Sequence, residues 1–115
     1  MEIEAKINVR PLSVNQCFKS GRGKTYRTKE YLAYEEEVLY SLPKKKMLKG
    51  ELGIDLEFGI NKRYGTMDLD NFLKPLIDLL GKKFYFKNDN QICELLARKV
   101  KSKKDYIELR IYEIE

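Results

Sequence analysis

The chain opens on strict alternation. Ile3, Ala5, Ile7 and Val9 fall on one side while Glu2, Glu4, Lys6, Asn8 and Arg10 fall on the other, the period of a half-buried strand. Pro11 ends it, since proline brings no N–H to a ladder. From Leu12 to Thr28 the pattern is irregular, and Ser13, Asn15, Gly21 and Gly23 mark a loop. A helix is expected from about Lys29 to Leu42, with Thr28 as N-cap, Pro43 as stop, and Tyr31, Leu32, Val38, Leu39 and Leu42 as its apolar face. After a basic turn over Lys44–Gly50, Leu52, Ile54, Leu56, Phe58 and Ile60 alternate with Gly53, Asp55, Glu57 and Gly59, the clearest strand of the chain.

Phe72, Leu73, Leu76, Ile77, Leu79 and Leu80 make one stripe, which predicts a second helix within residues 71–80, stopped by Gly81. Proline is tolerated only in a first turn, so Pro75 requires the helix to begin near Asn71 and leaves Asp68 to Asp70 outside it or at its lip. Two last strands, about 91–100 and 106–114, are joined by the Lys101–Asp105 turn and are expected as a hairpin. The order β-α-β-α-β-β describes an α+β (mixed α/β) fold, a small mixed sheet with two packed helices, in a single domain over residues 1–115.

The composition changes this picture mainly by what it lacks. There is no histidine among 115 residues. Ser-His-Asp and Cys-His triads, imidazole bases and His-ligated zinc are therefore excluded for the isolated chain. Catalysis would rest on carboxylates, amines, hydroxyls or a hard metal ion held by oxygen. Cys17 and Cys93 do not make a disulfide framework and are read as reduced thiols. No apolar run approaches the roughly 18 residues of a membrane span, and the N-terminus has no signal-peptide pattern, so a cytoplasmic protein without membrane partners is expected. Lys plus Arg number 23 against 18 Asp plus Glu, a net charge of +5, which by itself points only weakly to a polyanionic partner.

The chemistry concentrates at Asp68-Leu69-Asp70-Asn71. In an extended segment, residues two apart face the same way with Cα atoms roughly 6.6 Å apart, so both carboxylates can converge on one cation. A helix N-terminus directly after them favours negative charge. The competing reading makes Asp70 or Asn71 a plain N-cap and Asp68 a solvated loop residue. Lys74 lies four residues after Asp70 within reach of these carboxylates, or simply forms a surface ion pair along the helix. A third acid, Asp89, sits in the polar loop Lys87-Asn88-Asp89-Asn90, where it is otherwise an ordinary turn residue.

Basic clusters surround these acids. Lys19, Arg22, Lys24, Arg27 and Lys29 run through the N-terminal loop without an intervening acid, interleaved with Phe18 and Tyr26, which are candidates to stack on unpaired bases. Lys44, Lys45, Lys46 and Lys49 form a second cluster, and Arg98, Lys99, Lys101, Lys103 and Lys104 a third. A few acids inside a basic rim fit a metal-dependent enzyme acting on a phosphodiester, with the cations following the backbone and the acids holding Mg²⁺ or Mn²⁺.

The run Asp68-Leu69-Asp70-Asn71-Phe72-Leu73-Lys74-Pro75-Leu76-Ile77-Asp78-Leu79-Leu80 resembles the central motif of the RusA-type Holliday junction resolvases. Asn88-Asp89-Asn90-Gln91-Ile92-Cys93-Glu94-Leu95 through Lys99 resembles that family's second motif, and Pro11 to Asn15 with Gly21 to Lys29 resembles its N-terminal loop. The resemblance implies a homodimeric, Mg²⁺-dependent endonuclease, without an organic cofactor, that nicks four-way DNA junctions symmetrically during recombination and repair. It places Asp68, Asp70 and Asp89 on three metal-binding aspartates and Lys74 on a functional lysine. Arg22, Lys24, Arg27, Lys29, Arg63, Arg98 and Lys99 are then the expected DNA contacts. Two positions depart from the family pattern: Asn88 stands where many members carry a second acid, and Met67 where some carry a basic residue, for which Lys62 and Arg63 are the nearest substitutes. Exposed apolar parts of the sheet and Phe84-Tyr85-Phe86 are candidates for a dimer interface or for core. The main rival is a non-catalytic basic DNA-binding module whose aspartates only cap. An Asp-x-Asp phosphatase is disfavoured, because seven residues separate Ile60 at the strand end from Asp68.

Overall fold

Alternation at the N-terminus yields β1 (Glu2–Ile7) in the computed structural model, which describes residues 1–115. The segment expected as an irregular loop is more ordered than that. It holds a 3-10 turn at Val14–Gln16 and a hairpin of β2 (Phe18–Gly21) and β3 (Lys24–Arg27). Arg22 and Gly23 form its two-residue turn with φ of 51° and 73°. Such a loop follows the twist of its strands only when both central residues adopt positive φ. Every hairpin strand residue except the half-buried Gly21 is exposed, so no hydrophobic period announces these strands.

Helix α1 (Lys29–Ser41) begins where Thr28 Oγ1 accepts the Tyr31 N–H at 3.1 Å. Its buried line is Tyr31, Tyr34 and Val38, continued by Leu42. Leu32, expected on that face, is exposed, because Tyr31, Tyr34 and Val38 at i, i+3 and i+7 set the inward stripe and Leu32 lies to its side. Strand β4 (Leu52–Ile60) and helix α2 (Leu73–Lys82) follow the predicted alternation and stripe. A 3-10 turn over Leu69–Phe72 leads into α2, and Pro75 sits in its first turn. Gly81 does not end the helix; the chain leaves it at Phe84, which takes φ 66°. Tyr85 and Phe86 are core, and Phe84 is exposed.

The last strands, β5 (Ile92–Lys101) and β6 (Tyr106–Glu113), are not a hairpin. The sheet order is β1-β6-β4-β5, with β4 parallel to β5 and antiparallel to β6. β4 takes the centre because its apolar positions and both of its glycines are buried. The 101–105 turn carries the chain across the end of β4, where the Ser102 N–H bonds Ile60 O at 2.9 Å. Both helices pack on the face bearing Ile3, Ile54, Phe58, Ile107 and Leu109, against Val38, Phe72, Leu76 and Leu80. No helix covers the other face, an open cleft lined by Glu4, Lys6, Asp55, Glu57, Arg98, Glu108 and Arg110. The architecture is α+β, as the pattern of elements predicts. No helix is long and apolar enough to cross a membrane.

Candidate active site

The segment between β4 and α2 is fixed from both ends. Upstream, Asp105 accepts from Arg10 Nη1 at 3.2 Å and from the Asn61 N–H at 2.9 Å, while Arg10 Nη2 donates to Lys62 O at 3.0 Å. Nearer the acids, Lys99 Nζ on β5 donates to Tyr64 O at 2.8 Å and to Met67 O at 2.6 Å. Its ammonium lies 4.3 Å from the Tyr64 ring centroid, and Tyr64 Oη donates back to Lys99 O at 3.3 Å. Downstream, Phe72 is fully buried with its ring centroid 5.2 Å from that of Phe58. Between these anchors the backbone presents Asp68 and Asp70.

Asp68 is extended, at φ −88° and ψ 129°, but Asp70 lies within the 3-10 turn, so the run is not the continuous extended segment that the spacing suggested. The turn still delivers both residues to one cavity of about 460 Å³, shared with Met67, Leu69, Leu73, Ala97 and Lys99. Asp68 holds the N-cap position of the turn without a capping hydrogen bond from its side chain. The ion pairs of this flank bypass both aspartates. A cap or a salt bridge does not account for them.

Lys74 points along α2 instead. Its Nζ lies 2.8 Å from Asp78 Oδ1 and 3.8 Å from Asp89 Oδ2. The Asp78 carboxylate, through its hydrogen bond and its charge, raises the Lys74 ammonium above its ordinary range, and Asp89 adds to this. Asp78 was not legible as this partner beyond its i+4 spacing. Asp89 opens a short 3-10 turn, Asp89–Gln91, capped by Asn88: Asn88 Oδ1 accepts the Asn90 N–H at 2.9 Å, and Gln91 Oε1 accepts the Asn88 N–H at 2.9 Å. Position 88 thus serves as a cap, a role asparagine fills without charge.

The structure brings Asp68 and Asp70 together and sets Asp89 beside Lys74. No group of three Asp, Glu, Cys or His side chains stands close enough to hold a metal ion, so the three-carboxylate cluster expected from the sequence is not assembled here. The two cavity carboxylates still fit a hard divalent cation. Mg²⁺ is usually held by one or two carboxylates, with water and substrate phosphate completing its shell, and Asp68 and Asp70 are exposed oxygen donors in an open cavity.

The expected DNA contacts divide. Arg22 and Lys24 are exposed at the tip of the β2–β3 hairpin, Lys29 is exposed at the start of α1, and Arg63 is exposed in the loop before Asp68. The 14–16 turn that leads into the hairpin packs on the 69–72 turn that carries Asp70. Arg27 is partly engaged, 4.0 Å from Glu35 and over the Tyr31 ring. Phe18 stacks on Tyr31, while Tyr26 remains exposed. Arg98 and Lys99 are neighbours on a strand and face opposite sides of the sheet. Arg98 lies in the uncovered cleft, 3.1 Å from Glu57, and Lys99 lines the acidic cavity. Arg10 and Tyr64, which hold the loop, carry no sequence signal that separates them from other surface residues.

Residues 8–112, nearly the whole chain, match the model of a family described as endodeoxyribonuclease RusA. A protein of Lactococcus phage r1t named crossover junction endodeoxyribonuclease rusA is 45% identical to this chain over 47 residues. That stretch covers 41% of this chain and 36% of the phage protein, so the match spans about a third of that relative's length.

Proposed function

Because this chain belongs to the endodeoxyribonuclease RusA family, we propose that it is a metal-dependent, structure-selective endonuclease that resolves four-way DNA junctions by paired symmetric nicks in recombination and repair. The observation that carries this reading is the pair of unpartnered carboxylates, Asp68 and Asp70, in one open cavity. Asp68 and Asp70 would hold Mg²⁺ or Mn²⁺, while Asp89 stands beside Lys74. When bound, the ion supplies acidification of the attacking water and compensation of charge on the phosphate, so histidine is not required.

The chain's own residues do the rest. Arg22, Lys24, Lys29 and Arg63, all exposed, would follow a phosphate backbone. Lys74, held protonated by Asp78, acts as a positive charge rather than as a base, suited to a non-bridging phosphate oxygen or to orienting a water. Hydrolysis would leave a 5′-phosphate and a 3′-hydroxyl. Cutting two strands of a junction symmetrically calls for two identical sites, which a two-fold homodimer supplies.

The rival, a basic module with capping aspartates, is disfavoured by the Asp68 side chain, which occupies a cap position without capping. Incubation with a synthetic four-way junction beside linear duplex, with and without Mg²⁺, read on a denaturing gel, tests the proposal. Paired nicks in the junction arms that need the metal support it. Binding without cleavage at any metal concentration would establish the rival.

A further inference from the structure

Lys99 reads from the sequence as one more phosphate contact in a basic cluster. Its surroundings give it a different task. The side chain is half-buried, and two of the three donors on its ammonium are committed to the carbonyls of Tyr64 and Met67, at 2.8 and 2.6 Å. The Tyr64 ring lies beneath it, 4.3 Å away, and the Tyr64 hydroxyl bonds the Lys99 carbonyl. Met67 directly precedes Asp68, so the lysine fixes the peptide from which the first acid projects. Lys99 lines the same cavity as both aspartates without an ion pair to either.

We infer that Lys99 is a positioning residue: an ammonium that clamps the 64–67 loop to β5 and thereby sets Asp68 beside Asp70 for cation binding. The inference rests on the metal-site reading above. Three physical roles give three different outcomes on Lys99→Met. A clamp supports ligands from behind, and losing such support lowers metal affinity by about 10- to 100-fold. A bare positive charge near a cation site opposes the ion, so its loss alone would tighten metal binding. A phosphate contact would show in DNA binding, where each one contributes about −0.9 to the slope of log K against log[salt].

The test is Mn²⁺ titration of the free protein, followed by electron paramagnetic resonance, together with junction binding in EDTA over a salt series. For Lys99→Met the expected results are Mn²⁺ affinity at least about tenfold weaker and an unchanged salt slope. Lys99→Arg, which keeps charge and donors, should restore most of the affinity. Lys99→Gln, neutral and with a shorter arm, carries the same test should the methionine variant melt below the assay temperature. Tighter or unchanged Mn²⁺ binding in the neutral variants overturns the inference, as does a slope shallower by about one contact. Asp70→Asn separates the two levels: if the parent binds Mn²⁺ and Asp70→Asn binds it equally well, the metal site itself is misplaced. If Asp70→Asn loses Mn²⁺ while Lys99→Met and Lys99→Gln keep it, only the clamp fails.

Discussion

Replacing Asp70 by Asn removes one negative charge from the cavity with almost no change of shape. Asp70 is exposed and bonded to no protein group, so the fold should tolerate the change within about 0.5 kcal/mol. The effect falls on DNA. A phosphate that approaches to roughly 5 Å is repelled by one carboxylate by about 0.8 kcal/mol at the dielectric constant of water, the relevant limit for an exposed group. Screening over a Debye length of about 10 Å at 0.1 M salt reduces this to about 0.5 kcal/mol, and at 0.01 M about 0.7 kcal/mol survives. The Asn variant should therefore bind a four-way junction about twofold more tightly than the parent at 0.1 M salt, and about threefold at 0.01 M, when metal is absent. In Mg²⁺ the same variant should cleave more than about a hundredfold more slowly, since a metal ligand matters at least as much as the groups that support one. Anisotropy of a labelled junction in EDTA at both salts, with single-turnover cleavage in Mg²⁺, measures the two effects. Weaker junction binding by the Asn variant in EDTA would refute the placement of Asp70 beside the strand, and undiminished cleavage would refute its role as a ligand.

Gly59→Ala would drive a methyl group into the Tyr106 ring on the uncovered sheet face, so a loss of about 1–3 kcal/mol is expected in urea unfolding; parent-like stability would mean that the ring moves freely. Arg98→Ala should leave the salt slope of junction binding unchanged, because Arg98 pairs with Glu57 on the sheet face away from Asp68 and Asp70, whereas Arg22→Ala and Lys24→Ala should each make it shallower by about 0.9. An Arg98→Ala slope change equal to that of Arg22→Ala would put DNA on the wrong side of the sheet. Acid stability should depend on Glu57, whose carboxyl is held below its ordinary 4.5 first by the Tyr106 hydroxyl at 2.6 Å and then by Arg98. The folded state binds this proton less readily than the unfolded one, so the stabilisation is complete above about pH 4.5 and fades as pH falls through the lowered native value. Glu57→Gln should flatten that acid limb in thermal melts, and an unaltered limb would show that the hydrogen bond does not form.

What could be read from the chain divides along physical lines. β4 and α2 were legible because burial imposes a period, two for the strand and 3.6 for the helix, and Pro75 then fixed where α2 begins. The β2–β3 hairpin left no such trace, since its residues face solvent and its only punctuation is Arg22-Gly23. β5 and β6 were visible as strands but not as partners of β4. Periodicity reports what a residue is buried against, not which strand lies beside it. The aspartates were legible as chemistry, while the 3-10 turn that carries Asp70 depends on Phe72 finding Phe58 across the core. The bonds that Lys99 makes were illegible for the same reason. Its charge is written in the sequence, but the two carbonyls that absorb it belong to a loop more than thirty residues away along the chain.

On the proposed reading, the distribution of charge sets the side from which DNA would approach. On the uncovered sheet face the strand registers place Glu2, Glu4, Asp55, Glu57, Glu94 and Glu108 against Lys6, Arg98 and Arg110, six acids to three bases and a net of −3. The whole chain carries +5, so everything outside that face carries +8. Most of this face's cations are already paired within it: Arg110 meets Glu2 and Asp55, and Arg98 meets Glu57. A polyanion gains little there and is repelled by the excess acid. The hairpin, the start of α1 and the loop before Asp68 carry much of the positive charge outside that face, and the 14–16 turn that leads into the hairpin packs against the turn that holds Asp70. On the proposed reading, a strand drawn to that side by its phosphates would arrive where two carboxylates lack partners, and its own charge would make a cation between them more favourable. DNA affinity and metal affinity at this site should therefore reinforce each other, each weak alone, which would restrict full occupancy of the site to the complex with the substrate.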